Sequence, residues 1–260
     1  MATSLLIIFI SSLFLMLPTN ILSVSFNFNS FNPYQNYITL EGDAFIPSDS
    51  SIYLSKLTSN SSGRASYSTP IQLWDSKTGR LAWFTTTFSF IIGPSSESTS
   101  LLADGISFFL SPFSSSIPQN SYGGYLGLFN ADNALNSYEN QILAVEFDTF
   151  QNSWDPLAAP HIGIDINSIA SVTTENFASS NVDNALTAYA TVNYEPNAKN
   201  LSVVLTYPQS GSGVTTTTLE FEVDLRLLLP EWIRVGFSGA TGGVVESHKI
   251  LTWSFSSSFY

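Results

Sequence analysis

The chain contains no cysteine. That excludes disulfides, so a secreted domain built from it is held by its core and by any metals it binds. Positive charge is scarce as well: eight Lys and Arg stand against twenty Asp and Glu, a formal net charge of −12. The eight are scattered, with no basic patch, which argues against nucleic acid and against an anionic membrane surface as partners. Beyond the N-terminus there is no run of about 18 apolar residues, so no segment is expected to insert in a membrane. Internal repeats and helical patterns of normal length are also missing. No break in composition divides the 260 residues, which reads as one domain rather than two.

What is present points to strands. Hydrophobic residues make up 44% of the chain and charged ones 11%, with 20 Phe and 11 Tyr; aromatics at this density favour pleated structure. Segments of alternating apolar and polar residues recur between Gly, Pro, Asn and Ser. They are 26–28, 81–92, 105–110, 142–150, 188–194, 201–207, 216–223, 233–237 and 250–255, while 224–228, just before Pro230, suits one short helical turn. Many strands with short polar turns predict an all-β fold, an antiparallel β-sandwich or jelly roll. The stretches 95–100 and 208–213 read as exposed loops. Residues 5–17 are almost wholly apolar and too short to span a bilayer, and Ser23 follows as a cleavage position. Residues 1–23 are therefore expected to be a signal peptide, although its start lacks Lys and Arg, with 24–260 as the domain and a secreted or vacuolar destination. Asn60-Ser61-Ser62 and Asn200-Leu201-Ser202 are glycosylation sequons. A weakly charged surface rich in Ser, Thr, Asn and Tyr suits a neutral ligand recognised by hydrogen bonds.

The most informative segment is 144–156, followed by His161-Ile162-Gly163-Ile164-Asp165. Glu146, Asp148, Phe150 and Asn152 recur at every second residue, which on a strand places all four on one face. Val145, Phe147 and Thr149 then point to the other face, toward a core. Asp155-Pro156 bends the chain back and His161 closes the set. These carboxylates, an amide and an imidazole have too few cations nearby to be ion pairs. Hard oxygen ligands with one imidazole suit a calcium ion beside a manganese-like transition ion.

This segment resembles the metal-binding stretch of the legume lectins, and Phe150-Gln151-Asn152-Ser153-Trp154-Asp155-Pro156 is most similar to its galactose-binding members. Further marks of the family occur in order: Gly63-Arg64-Ala65, Leu73-Trp74-Asp75, Ala103-Asp104-Gly105, 124–129, Asn167-Ser168-Ile169, Leu229-Pro230-Glu231-Trp232, Val235-Gly236-Phe237-Ser238 and Trp253-Ser254-Phe255. The resemblance covers almost all of 24–255. It implies a sandwich of the legume lectin type and a non-catalytic lectin binding glycans or glycoproteins. Glu146, Asp148, Asp155 and His161 would hold manganese or a similar ion. Asp148, the Phe150 carbonyl, Asn152 and Asp155 would hold calcium, with Asp148 and Asp155 bridging. A cis Ala103–Asp104 bond would aim the Asp104 carboxylate at two sugar hydroxyls. Gly124 and Asn152 would donate hydrogen bonds, Phe150 would offer an apolar face, and Gly243 and Val244 would close the rim. Trp154 is either a second aromatic of the site or packing, and His248 is taken as structural or exposed.

These residues lead to galactose or N-acetylgalactosamine as the sugar, with mannose, glucose or fucose as alternatives, because the loop 238–248 is shorter than in those members. Unpaired edges of large sheets and the need for several sites per particle predict a homodimer or homotetramer. The competing class is a jelly-roll glycosidase of the laminarinase type, which also carries Glu-x-Asp on a strand. Retaining hydrolysis requires two carboxyl groups about 5 Å apart. Where those enzymes supply the second Glu, this chain has Phe150-Gln151-Asn152, so the acid/base is missing.

Overall fold

The computed structural model describes residues 23–34, 36–94, 101–209, 211 and 213–259. The expected signal segment, apart from Ser23, and the expected loop 95–100 lie outside these residues, as do Ser210 and Ser212 of the second loop. Among the described residues the strands are β1 (Val24–Phe28), β2 (Ile38–Gly42), β3 (Ile52–Tyr53), β4 (Ser62–Tyr67), β5 (Ile71–Gln72), β6 (Ala82–Pro94), β7 (Gly105–Pro112), β8 (Leu143–Asp148), β9 (His161–Ile166), β10 (Thr173–Asn176), β11 (Ala188–Glu195), β12 (Asn200–Pro208), β13 (Val214–Glu222), β14 (Trp232–Ala240) and β15 (Glu246–Phe259). All pair antiparallel. One sheet has the order β1-β15-β6-β11-β12-β13, with β3 on β15. The other has the order β10-β9-β8-β7-β14-β4-β2, with β5 on β14. This is the expected sandwich.

Each alternating segment in the sequence falls on a strand. The helical turn before Pro230 is a 3-10 turn, Leu225–Leu227, in which the Asp224 carboxylate accepts the Arg226 N–H. A five-residue helix, α1 (Ser179–Asp183), carried no periodic signal because it is barely more than one turn. Strand β4 was illegible for another reason. Gly63, Arg64, Ala65 and Ser66 are all buried, so polar and apolar residues do not alternate.

The main core lies between the sheets. Phe88 of β6 meets Phe237 of β14 at 4.8 Å between ring centroids, edge on, and Phe147 of β8 lies 5.9 Å away in the same manner. Val145 and Phe147 point into this core as expected, almost fully buried. Each such Phe contributes about 1.5–3 kcal/mol by leaving water. Polar atoms in this core find partners: Trp253 Nε1 donates to Thr86 Oγ1, which donates to the Ser254 carbonyl, and the Tyr194 hydroxyl donates to the Val223 carbonyl.

A second, smaller core covers the outer face of the other sheet. Phe109 and Ala144 pack there against Leu126, Leu128, Phe129 and Ile169. Strands β7 and β8 are therefore buried on both faces, and the loop 121–129 is clamped over them. Arg64, almost fully buried, completes the clamp. Its Nε and Nη2 donate to the carbonyls of Gly127 and Leu128, and its guanidinium lies 4.9 Å from the centre of the Phe109 ring. Burial pulls its pKa down to about 10. Trp154 belongs to this packing: it stacks on Tyr125 at 5.6 Å.

Candidate functional site

Four chain segments converge at one end of the second sheet. Asp148 ends β8, between Gly105 of β7 and His161 of β9. Thr149 N–H donates to the Asp104 carbonyl, and Asp104 N–H donates to the Ala240 carbonyl at the end of β14. Gly123 N–H donates to the Thr241 carbonyl, which brings in the loop clamped by Arg64. The sheet ladder thus delivers residues 103–105, 123–124, 148–155 and 240–242 to one place.

The expected strand face carries only part of the set: Glu146 and Asp148 lie on β8, which ends at Asp148, while Phe150 and Asn152 follow in the turn beyond it. Glu146, Asp148 and His161 present ligand atoms within 4.8 Å of one another, and all three are buried. His161 Nε2 lies 3.2 Å from Glu146 Oε1. Asp148 Oδ1 accepts the Phe150 N–H, and Asp155 Oδ2 accepts the Asn152 N–H in a short contact, so two carboxylates also shape this turn. Asp155 stands outside the tight trio but is electrostatically coupled to Glu146 and His161. Among the described residues no Lys or Arg forms an ion pair with Glu146, Asp148 or Asp155.

The electrostatics follow from that deficit. Burial raises the Asp148 carboxyl well above its usual range, and repulsion from Glu146 and Asp155 adds to it. Asp155 is raised to about 6, first by burial and then by Glu146, against the Asn152 N–H and His161. Buried carboxylates without a counter-charge suit a dication. A donor set of carboxylates, one amide and one imidazole fits one hard ion beside a softer one.

Two further residues belong to this cluster. Ser171 Oγ lies 2.5 Å from Glu146 Oε1 and 2.6 Å from Asp165 Oδ1. Asp165 is fully buried and its carboxyl is raised well above the usual range by burial and by Glu146. Gly163 makes the room: a methyl there would stand 2.4 Å from Glu146 Oε1 and 2.1 Å from Ser171 Oγ. In the sequence Asp165 was visible in the same segment, but Ser171 sits in a turn with no motif around it.

Beside the acidic cluster lie further buried polar groups. The Ala103–Asp104 peptide bond is cis. Asp104 is only 4% exposed, and its Oδ2 has no hydrogen-bond partner. Burial raises this carboxyl to about 7, with help from Glu246 and against His248 and the Gly242 N–H. Asn152 Oδ1 is buried without a partner too. It lies so close to Gly124 that a methyl on that glycine would stand 2.2 Å from it, so only glycine lets the amide lie against this backbone. Phe150, 36% exposed, offers a free ring edge to solvent.

The loop 240–244 adds a residue near Asp104. Gly242, not singled out in the sequence, touches Asp104: a methyl on it would be 2.9 Å from Asp104 Oδ2. Gly243 is exposed with open space around it, and Val244 is half-buried. His248 is fully buried. Its Nδ1 lies 2.7 Å from Ser55 Oγ and its Nε2 2.8 Å from Glu246 Oε1, which also accepts from Thr149 Oγ1. The order hydroxyl–imidazole–carboxylate is that of a hydrolase relay, but all three side chains are at most 1% exposed, so no substrate reaches the hydroxyl. The trio instead braces Thr149, next to Asp148, from within.

An antiparallel sandwich with an acidic, imidazole-bearing cluster beside buried, unpaired acceptors, together with the family match that follows, makes this a carbohydrate-binding protein without catalysis. A family model described as the legume lectin domain matches residues 23–260, and the chain belongs to the legume lectin family. It is 54% identical to "Lectin 7" of Medicago truncatula over 253 residues, covering 95% of this chain and 93% of that one. Among solved structures, it is similar to the winged bean acidic lectin complexed with methyl-α-D-galactose. There the TM-score is 0.80 with 40% identity, over 92% of this chain and 99% of that one. It is also similar to lectin I of Ulex europaeus in complex with the methyl glycoside of α-L-fucose, with a TM-score of 0.81 and 36% identity, over 90% and 98% of the two chains. The family binds metal ions, and among the described residues no helix is long and apolar enough to cross a membrane.

Proposed function

We propose that residues 24–260 form one lectin domain that binds galactose or N-acetylgalactosamine in a calcium- and manganese-dependent manner. The observation that carries this reading is two buried, unpartnered acceptors near the acidic cluster, Asp104 Oδ2 close to Gly242 and Asn152 Oδ1 against Gly124. Asp104 accepts from two adjacent sugar hydroxyls, and the Gly124 N–H and the Asn152 amide nitrogen donate. Asn152 Oδ1, the Phe150 carbonyl, Asp148 and Asp155 would hold calcium. Glu146, Asp148, Asp155 and His161 would hold manganese or a similar ion. The metals, when bound, supply the positive charge that lets these carboxylates ionise and keep their turn rigid.

The exposed Phe150 ring supports the galactose choice. An axial 4-hydroxyl leaves one face of the sugar as a C–H patch that packs on an aromatic. The winged bean relative's galactose complex favours the same reading. The fucose complex of the Ulex relative and the open space around Gly243 favour fucose as the second reading, ahead of mannose or glucose.

Further parts of the proposal are a secretory origin with residues 1–23 removed, glycans at Asn60 and Asn200, and a homodimer or homotetramer. The test is binding to immobilised galactose, fucose and mannose with and without a chelator. Retention on galactose that is lost with chelation and restored by calcium with manganese supports the reading. Retention on mannose alone rejects the galactose choice and leaves the lectin intact, and binding unaffected in a verified metal-free sample rejects metal dependence.

A further inference from the structure

We propose that the sequon at Asn60 is a regulatory modification site: a glycan on it stands over the rim of the sugar cleft and restricts which glycoconjugates enter. This rests on the carbohydrate-binding reading of the cleft. Asn60 closes a turn whose residues 56–60 are all exposed, and its backbone is left-handed, with φ at 55°. Asparagine tolerates that conformation, so the residue alone implies no modification. The hydroxyl two positions on, at Ser62, makes it an acceptor sequence.

What makes the site consequential is where the turn is fastened. Asn60 N–H donates to the Gly242 carbonyl at 3.0 Å. Thr241 Oγ1 donates to the Thr58 carbonyl at 2.6 Å and accepts the Ser61 N–H at 3.1 Å, while Thr241 N–H donates to the Ser61 carbonyl at 2.8 Å. Ser61 Oγ, held inside the turn, accepts the Lys56 N–H and donates to Asp43. The attachment point is thus pinned to residues 241–242, and Gly242 in turn touches the Asp104 carboxylate. One backbone hydrogen bond and one residue separate the glycan's anchor from the cleft wall. An N-linked glycan is bulky and polar. From this anchor it reaches the open space beside Gly243, next to the residues that touch Asp104.

The other sequon provides the contrast. Asn200 opens β12 in the opposite sheet, paired with Glu195 and Glu222, and has no link to residues 240–242. A glycan there is expected to leave the cleft alone.

The consequence is selection by size. A free monosaccharide slips past the glycan, whereas the same sugar at the end of a branched chain on a large glycoprotein is hindered. The full chain is secreted from a eukaryotic host as wild type, as Ser62→Ala, which removes the Asn60 sequon while keeping Asn60 in its turn, as Ser62→Thr, which preserves the sequon, and as Ser202→Ala, which removes the other sequon. Site occupancy is read by mass spectrometry, and affinity is measured for methyl galactoside and for a galactose-terminated glycoprotein. The expected result is an occupied Asn60 in the wild type and several-fold tighter glycoprotein binding by Ser62→Ala. Monosaccharide affinity should not change, and Ser62→Thr and Ser202→Ala should behave as wild type. An unoccupied Asn60, or equal glycoprotein binding by all four, overturns the proposal while leaving the lectin reading standing. Failure of every form to bind any sugar removes both.

Discussion

Asp104 and Gly124 are the residues on which the proposed cleft turns, and each gives a distinct test. Replacing Asp104 by Asn keeps its shape but removes the charge that strengthens hydrogen bonds from hydroxyls. Affinity for the sugar should fall by about 1.5–3 kcal/mol, roughly tenfold or more, in titration calorimetry. Phe150→Ala should cost less, since it removes only a half-exposed apolar face, and an Asp104→Asn protein that binds like wild type would reject the cleft. Gly124→Ala forces a methyl into the space held by the Asn152 amide. Sugar binding should be lost while the melting temperature changes little, because the clash falls on the end of the Asn152 side chain, which can move aside, and the second core still clamps the loop.

The acidic cluster also carries a pH signature. A carboxyl whose folded pKa lies above the ordinary 3.8 keeps its proton in the native state after the unfolded chain has released it. Stability is then greatest below about pH 4 and is lost as the pH rises through the folded values. For Asp155 and Asp104 those are about 6 and about 7, and Asp148 and Asp165 shift in the same direction. Chelated protein should therefore melt lower at pH 7.5 than at pH 5. Added calcium and manganese should reverse the trend, because metal binding displaces those protons. A chelated sample whose melting temperature rises between pH 5 and 7.5 would contradict the burial of these groups.

Among the structural elements, the loop 121–129 decides whether the cleft exists, and Arg64 decides where that loop lies. Arg64→Ala strips two carbonyls, of Gly127 and Leu128, of buried donors and opens space beside Phe109. The expected cost is about 2–4 kcal/mol in denaturant unfolding, with weakened sugar binding in the surviving fold. A neutral result would mean that the apolar residues Leu126, Leu128 and Phe129 hold the loop unaided. The strands bearing the ligands were legible because period-two spacing is local: Glu146 and Asp148 share a face whatever surrounds them. Strand β4, buried on both faces, and the single turn of α1 left no such trace.

For the whole molecule, the seven-stranded sheet offers an outer face with little charge, built from Thr85, Thr87, Thr191, Asn193 and Ser254, and it ends in the unpaired edges of β1 and β13. Light scattering at micromolar concentration should give twice or four times the mass of one chain, and the assembly should agglutinate cells that carry the sugar. A particle of single-chain mass would refute this.

Composition and alternation alone determined the all-β class, because burial of one sheet face imposes a two-residue period on any chain that forms it. Spacing alone put Glu146 and Asp148 on one face of a strand. Tertiary structure decided the rest. It set Asp104 against Gly242, enlisted Ser171 and Asp165 around Glu146, sealed His248 behind Thr149 and pinned the Asn60 turn to residues 241–242. Each of these joins segments far apart in the chain, and only strand order and register, set by packing, bring such segments together.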